Sequence, residues 1–383
     1  METATEPALA EASDTDRRLM ARAVELGRRG WGRTHQPRSA ADDPNPLVGC
    51  VLARDGVVIS EGWHADYGGP HAEVAALALA GSAARGATAY VSLEPCRHQG
   101  KTPPCTAALL KAGVGRVVYG ARDPGPKSGG GAEELRSAGV DVAGPFLSST
   151  EARRENPVFF HRVVERPWVA VKLALSLDGK ISERPGVQTW ISGPEADEEV
   201  HWLRAGFDAV MVGTVTALVD DPLLTVRGRV TPRVPPRRVI LDAAGQLSPG
   251  ARLLREGEGQ VYVVTTPSSP RSWRAEIESR GAEVLEVAAD AEGRVSLPDG
   301  LRRLREVGIR SVLCEGGGRL TSALMGLGLL DRLYVILVPR LLGDEGVPGF
   351  PGAATLEPAV WTPVEDPRRM GKDVWMVLEP ERA

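Results

Sequence analysis

Four residues between His71 and Cys105 have the types and the order to do chemistry: His71, Glu73, Cys96 and Cys105. One imidazole and two thiolates form a soft-to-borderline donor set that suits zinc, and three protein ligands leave a fourth tetrahedral position open to water. An open position points to catalysis. Glu73, two residues after the histidine, is placed to move protons at such a centre. Taken singly, a cysteine reads as a buried thiol and a histidine as a surface residue, but four such residues in this order read as a zinc deaminase. Eight residues separate Cys96 from Cys105, where the nucleobase-deaminase pattern has two.

The elements around these residues follow from local pattern. Leu19 to Arg29 has helical apolar spacing after an Asp14-Thr15-Asp16 start, and Arg54-Asp55-Gly56 separates two β-prone runs as a hairpin turn. His71 to Ala80 reads as a helix with His71 and Glu73 in its first turn, where the dipole favours the carboxylate. Thr88 to Leu93 reads as the strand that delivers Cys96, and Pro103-Pro104 opens a helix at Cys105. Further alternation of strand and helix, Arg116 to Tyr119, Gly131 to Ala138 and Val140 to Val142, predicts an α/β layered domain.

The 383-residue length favours more than one domain. A charged fraction of 25% and a formal charge of −4 show no basic excess of the kind a nucleic-acid binder carries. No run approaches membrane-spanning length, and the N-terminus has no basic-then-apolar signal. Cys50 and Cys314, the two cysteines outside the cluster, read as reduced core thiols, which suits the cytoplasm. The expected layout is a disordered lead-in over 1–16, a deaminase domain over 17–146, a partly helical linker over 147–166 and a second domain over 167–383.

The run LEPCRHQGKTPPC resembles the pyrimidine deaminase half of the bifunctional deaminase–reductases of riboflavin biosynthesis. The resemblance continues through VAVKLALSLDGKI, TWISG, Leu203-Arg204, DAVMVGT, DDPLLTVR and the Cys314-Glu315-Gly316-Gly317-Gly318 turn, nearly everything from Trp168 to Gly343. It implies a cytidine-deaminase-like three-layer αβα domain followed by a dihydrofolate-reductase-like α/β domain, with Zn2+ and NADPH as cofactors. In the first half it implies Glu73 and Lys101 as catalytic groups, His71, Cys96 and Cys105 as metal ligands, and Asn45, His64, His98 and Asp123 as substrate contacts. In the second half it implies substrate contacts from Lys172, Gln188, Arg204, Leu224, Arg227 and Glu315. Cofactor contacts would come from Ala174, Trp190, Thr216, Asp220, Gly317, Gly318, Arg319, Leu320, Thr321, Ser322 and Ala323.

Three departures from the family stand out: Gln188 replaces a common serine, Gly125 replaces the asparagine of Asp-Pro-Asn-Pro, and His35 to Asp43 is an insertion beside Asn45. The inserted loop is expected to supply the contact that Gly125 lacks. The expected substrate is a small phosphoribosyl-pyrimidine and the expected assembly a homo-oligomer, with neither nucleic acid nor membrane as partner. Two rival readings are a deaminase of free nucleosides or RNA with a degenerate C-terminal half, and a non-enzymatic protein whose zinc is closed by a fourth protein ligand.

Overall fold

The computed structural model describes residues 13–34, 44–100, 102–161, 164–352 and 360–381. These form two compact units, one ending at His161 and the other starting at Val164. The first runs α1 (Asp14–Gly27), β1 (Gly49–Arg54), β2 (Val57–Trp63), α2 (Ala72–Ala80), β3 (Thr88–Leu93), α3 (Cys105–Ala112), β4 (Arg116–Ala121), α4 (Gly131–Ser137), β5 (Asp141–Ala143), α5 (Ser149–Glu155) and α6 (Pro157–Phe160).

Helix α1 begins inside the expected lead-in, because the Ser13 side chain accepts from the Asp16 N–H at 3.1 Å and caps it. The remainder of that lead-in, residues 1–12, lies outside the described residues. β1 and β2 form the expected hairpin around Asp55 and Gly56, whose φ values of 51° and 78° suit a tight left-handed turn. The sheet order is β2-β1-β3-β4-β5, antiparallel on the hairpin side and parallel from β3 to β5. Parallel neighbours need crossovers, which α3 and α4 provide.

Because side chains alternate along each strand, the sheet has two apolar faces. Leu19, Ala23 and Leu26 of α1 pack on Val51, Tyr90 and Val118. Ala72, Ala76, Leu109 and Leu135 of the other helices pack with Cys50, Leu52, Val91 and Val117. The three-layer expectation holds. Within the stretch expected as a linker, α5 and α6 add Ala152 and Phe159 to the same core. α5 is charge-rich with Ala152 its one buried residue, and α6 is a single apolar turn, so neither shows the spacing of a packed face.

The second unit contains β6 (Trp168–Ser176), β7 (Lys180–Ser182), α7 (Pro194–Ala205), β8 (Ala209–Gly213), α8 (Thr214–Asp220), β9 (Arg237–Leu241), α9 (Arg252–Arg255), β10 (Val261–Thr265), α10 (Arg271–Ser279), β11 (Glu283–Glu286), α11 (Leu297–Glu306), β12 (Ser311–Cys314), α12 (Gly318–Gly326), β13 (Arg332–Val338), β14 (Val347–Pro348), β15 (Trp361–Pro363), β16 (Arg368–Met370) and β17 (Asp373–Pro380). Its main sheet runs β11-β10-β9-β8-β12-β6-β13-β17-β15, parallel from β11 to β13. Runs such as Val210 to Val212 and Val312 to Cys314 are buried throughout, as parallel strands covered on both faces require.

Neighbouring strands β8 and β12 lead away in opposite directions, β8 to β9 and β12 across β6 to β13. The chain therefore opens a crevice beyond their carboxyl ends, the place where ligands bind in open α/β sheets. No helix among the described residues is long and apolar enough to cross a membrane.

Candidate active sites

In the first unit, strand β3 ends just before Cys96, α2 starts just after His71, and α3 starts at Cys105. His71 was expected within the first helical turn and is instead the N-cap of α2, in extended conformation. The donor atoms of His71, Cys96 and Cys105 all lie within 4.8 Å of one another. His71 Nδ1 is 3.2 Å from Cys105 Sγ and 3.5 Å from Cys96 Sγ. A sulfur and a nitrogen bonded tetrahedrally to zinc stand about 3.6 Å apart, so these donors fit the ion with little movement. His71 Nε2 lies 3.2 Å from Thr102 Oγ1. With a metal ion on Nδ1, Nε2 carries the proton and donates to that hydroxyl, the tautomer a metal ligand needs.

Glu73 is 3% exposed. Burial raises its carboxyl pKa, against the pull of His71. The Cys96 thiol is lowered to about 4, chiefly by its hydrogen bond with Cys105 and then by His71, while the same shared proton pushes Cys105 up. The sulfur pair thus holds one proton between two atoms. A bound cation favours thiolate at both.

Around the cluster, the His64 ring meets the His71 ring edge-on with centroids 5.4 Å apart. Burial lowers the His64 pKa, and its Nδ1 lies 3.0 Å from the Pro70 carbonyl oxygen, so a neutral ring donates there. His98 Nδ1 is buried without a hydrogen-bond partner among the described residues, the state of a group that awaits a ligand or water. Asp123 Oδ1 accepts from the Gly125 N–H at 2.7 Å, and Asn45 is half-buried on the chain entering β1. Lys101 and the insertion His35 to Asp43 lie outside the described residues, and with them the expected compensation for Gly125.

The second unit brings Lys172 from β6, Arg204 from α7 and Glu315 from the end of β12 into one part-buried cluster. Arg204 donates through Nε and Nη2 to the two oxygens of Glu315, at 2.5 and 2.8 Å, and Lys172 Nζ lies 4.0 Å from Glu315. Burial alone would raise the Glu315 carboxyl, but Arg204 and Lys172 overcome it and hold the group down to about 2. Burial lowers Lys172. Two cations against one anion leave this cluster a net positive charge that suits an anionic ligand.

Arg204 also donates to the Thr225 carbonyl oxygen at 2.9 Å, and the Arg227 N–H donates to His201 Nδ1 at 3.2 Å. α7 thus grips the 224–227 segment at two points one turn apart. Leu224 in that segment is buried with φ 53°, a left-handed value that is uncommon for leucine and gathers at ligand-binding turns.

The Gly-rich turn lies in the crevice at the β8–β12 switch point. Gly317 N–H donates to Thr216 Oγ1 at 3.1 Å, and a Cβ on Gly316 would stand 2.9 Å from the Gly213 nitrogen, so only glycine allows the two loops to meet. Ser322 Oγ on α12 is buried without a partner among the described residues, whereas Arg319 is exposed and Thr321 buried. Gly318, Leu320 and Ala323 share the start of α12. Ala174 pairs with Ile336 on the neighbouring strand, and Asp220 ends α8 with its pKa raised by burial. Gln188 and Trp190, the latter 72% exposed, stand on the loop before α7, and no hydrogen bond or ion pair joins them to the Lys172 cluster among the described residues.

Three residues were missed by sequence reasoning. Thr102 orients His71, His201 receives the Arg227 N–H, and Asn156 brackets Leu47 by accepting from its N–H at 2.6 Å and donating to its carbonyl oxygen at 3.1 Å. His201 alone had a usable signal, since it lies three residues before Arg204 on one helix face.

Comparison with known proteins agrees with this geometry. A family model for the cytidine and deoxycytidylate deaminase zinc-binding region matches residues 14–121, and one for the RibD C-terminal domain matches residues 167–366. Riboflavin biosynthesis protein RibD of Escherichia coli (strain K12) is 36% identical across 95% of this chain and 99% of its own length. RibD of Aquifex aeolicus (strain VF5) is 35% identical across 94% and 97%. Among solved structures, Acinetobacter baumannii RibD, form 1, superposes with TM-score 0.78 at 35% identity, covering 98% of this chain and 100% of that one. A Thermotoga maritima protein described as a diaminohydroxyphosphoribosylaminopyrimidine deaminase/5-amino-6-(5-phosphoribosylamino)uracil reductase gives 0.76 at 34%, covering 96% and 99%. Matched over nearly its whole length, with both units in the same order, the chain belongs to the RibD family of riboflavin biosynthesis proteins.

Proposed function

We propose that this chain catalyses two reactions of riboflavin biosynthesis. The first unit deaminates 2,5-diamino-6-(5-phosphoribosylamino)pyrimidin-4(3H)-one, and the second reduces the ribosyl chain of the resulting uracil to ribityl. The observation that carries the reading is the three-donor cluster of His71, Cys96 and Cys105 with the buried Glu73 carboxylate beside it.

Zinc, when bound by these donors, supplies the Lewis acidity that makes water nucleophilic near neutral pH. Glu73 handles the protons in two transfers: its carboxylate takes one from the attacking water and gives it to the ring nitrogen, then takes a second from the newly added hydroxyl and gives it to the departing amine. Burial raises its affinity for a proton, which suits a group that must both take and give. Lys101 assists this step. His64, His98, Asp123 and Asn45 hold the pyrimidine, and a ligand would pair the orphaned His98 Nδ1.

In the second unit NADPH supplies the hydride, so the protein's work is to place two ligands against each other. Lys172, Arg204, Arg227 and Glu315 hold the phosphorylated sugar, with Gln188 and Leu224 beside them. The turn and helix from Gly317 to Ala323, with Ala174, Trp190, Thr216 and Asp220, hold the cofactor, whose phosphates meet peptide N–H groups at the start of α12. The deaminase domain takes in α5 and α6 beyond 17–146, and the reductase domain starts near Pro167. Four free, buried cysteines suit the cytoplasm, and a homo-oligomer is the expected assembly.

The test supplies the diaminopyrimidinone to zinc-loaded protein and follows ammonia and NADPH separately. Ammonia release followed by NADPH oxidation is expected. Ammonia from cytidine or an oligonucleotide, without NADPH oxidation, would favour a nucleoside or RNA deaminase.

A further inference from the structure

Glu94, between Leu93 and the Pro95-Cys96 pair, is a buried carboxylate, 8% exposed, that none of the chemistry above uses. Its partners among the described residues are three peptide N–H groups from the segment after β4 and the first turn of α4. Oε2 accepts from Asp123 at 3.2 Å, and Oε1 accepts from Gly130 at 3.2 Å and from Ala132 at 3.0 Å. One side chain thus ties together the two ends of a ten-residue excursion. The N-cap of α4 is Gly130, which has no side chain, so the first donors of that helix lack a cap of their own. Glu94 supplies it from the neighbouring strand.

The excursion is also laid against the metal-ligand loop. The Arg97 N–H donates to the Ser128 carbonyl oxygen at 3.2 Å, and a Cβ on Gly131 would stand 1.8 Å from the Pro95 carbonyl oxygen. Only glycine allows that approach. Cys96, a metal ligand, and Asp123, a pocket group, are therefore held to one another by a single intervening side chain two residues before the ligand.

We propose that Glu94 is a positioning residue of the deaminase pocket, acting through Asp123, which it holds at a fixed place relative to Cys96. The inference rests on the deaminase reading above, with Asp123 as a substrate contact. A carboxylate suits the task because it offers two acceptor oxygens and no donor, whereas an amide offers one oxygen and must turn its NH2 group towards a peptide N–H. Glu94→Gln therefore loses at least one of the three bonds and sets donor against donor.

The test measures ammonia release by the full-length, zinc-loaded protein as wild type, Glu94→Gln, Asp123→Ala and the double variant. Glu94→Gln should raise the deaminase KM about tenfold with a smaller change in kcat. Zinc should stay at one per chain, and NADPH oxidation with pre-deaminated substrate at its wild-type rate. If Glu94 acts through Asp123, the double variant matches Asp123→Ala alone, since coupled residues are not additive. Glu94→Asp, which keeps the charge but is one methylene short, serves if the amide variant does not fold and should raise KM in the same way. A merely structural Glu94 would give an unchanged KM with zinc and kcat falling together, or losses that add in the double variant; either result overturns the proposal. A wild-type chain that releases no ammonia from the diaminopyrimidinone would instead bring down the deaminase reading, and this inference with it.

Discussion

The two sites differ in how much of their chemistry is built from local sequence. The first gathers His71, Glu73, Cys96 and Cys105 within one stretch of helix start, strand end and helix start, and its donor atoms fall within 4.8 Å. The second draws Lys172, Arg204 and Glu315 from three elements far apart in the chain, and joins them by ion pairs. A metal centre needs particular donor atoms at fixed distances, so residue types and spacing betray it. A hydride-transfer site leaves the reactive atoms to its cofactor and needs only shape, charge and peptide N–H groups, which many sequences can supply.

The sharpest way to break this contrast is to remove a metal ligand. Cys96→Ala or Cys105→Ala should lose most of the zinc and lower deamination by more than the ~100-fold typical of outer-shell changes, while NADPH oxidation persists when pre-deaminated substrate is supplied. Metal analysis and the two assays check it, and a variant with full zinc would remove that cysteine from the site. Next, Glu315→Ala strands two part-buried cations, which should destabilise the second unit by about 3–5 kcal/mol. Denaturant unfolding reads this as a shift in the transition of that unit. Thr102→Val should weaken zinc binding by about 10–100-fold in chelator competition, because the His71 ring loses the acceptor that fixes its tautomer.

The smallest effect is a pH dependence. Burial lowers the His201 pKa in the folded state, with the Arg204 and Arg227 charges adding to it. The unfolded chain therefore binds more protons below about pH 6.5, so this contribution is complete above that value and is lost as pH falls. Glu315, at about 2, stays charged throughout that window. Denaturant midpoints of the second unit should fall from pH 7.5 to 5.5, and His201→Asn, which keeps an acceptor for the Arg227 N–H but does not titrate, should flatten the slope.

Much of the fold was legible where a single pattern settled an element. The Asp55-Gly56 hairpin and the helix opened by Pro103-Pro104 stand as expected. The Asp14-Thr15-Asp16 start of α1 was legible too, whereas α5 was hidden by its charges and α6 by being a single turn. In the sites, ligand identity was legible and orientation was not. A hydroxyl such as Thr102 or an amide such as Asn156 has many uses, and only the folded chain shows the ring or backbone it meets. Lys172, Arg204 and Glu315 were named by resemblance, since single charged residues ordinarily face water. Their burial as a cluster, and the left-handed Leu224 beside them, are tertiary facts that no local pattern carries.

Glu73→Gln tests most directly that one chain holds two separate chemistries. The amide keeps the shape of the side chain but cannot shuttle a proton. Zinc content and fold should be unchanged, deamination should be abolished, and pre-deaminated substrate should still drive NADPH oxidation at near the wild-type rate. Loss of both activities, or deamination that survives the substitution, would contradict it.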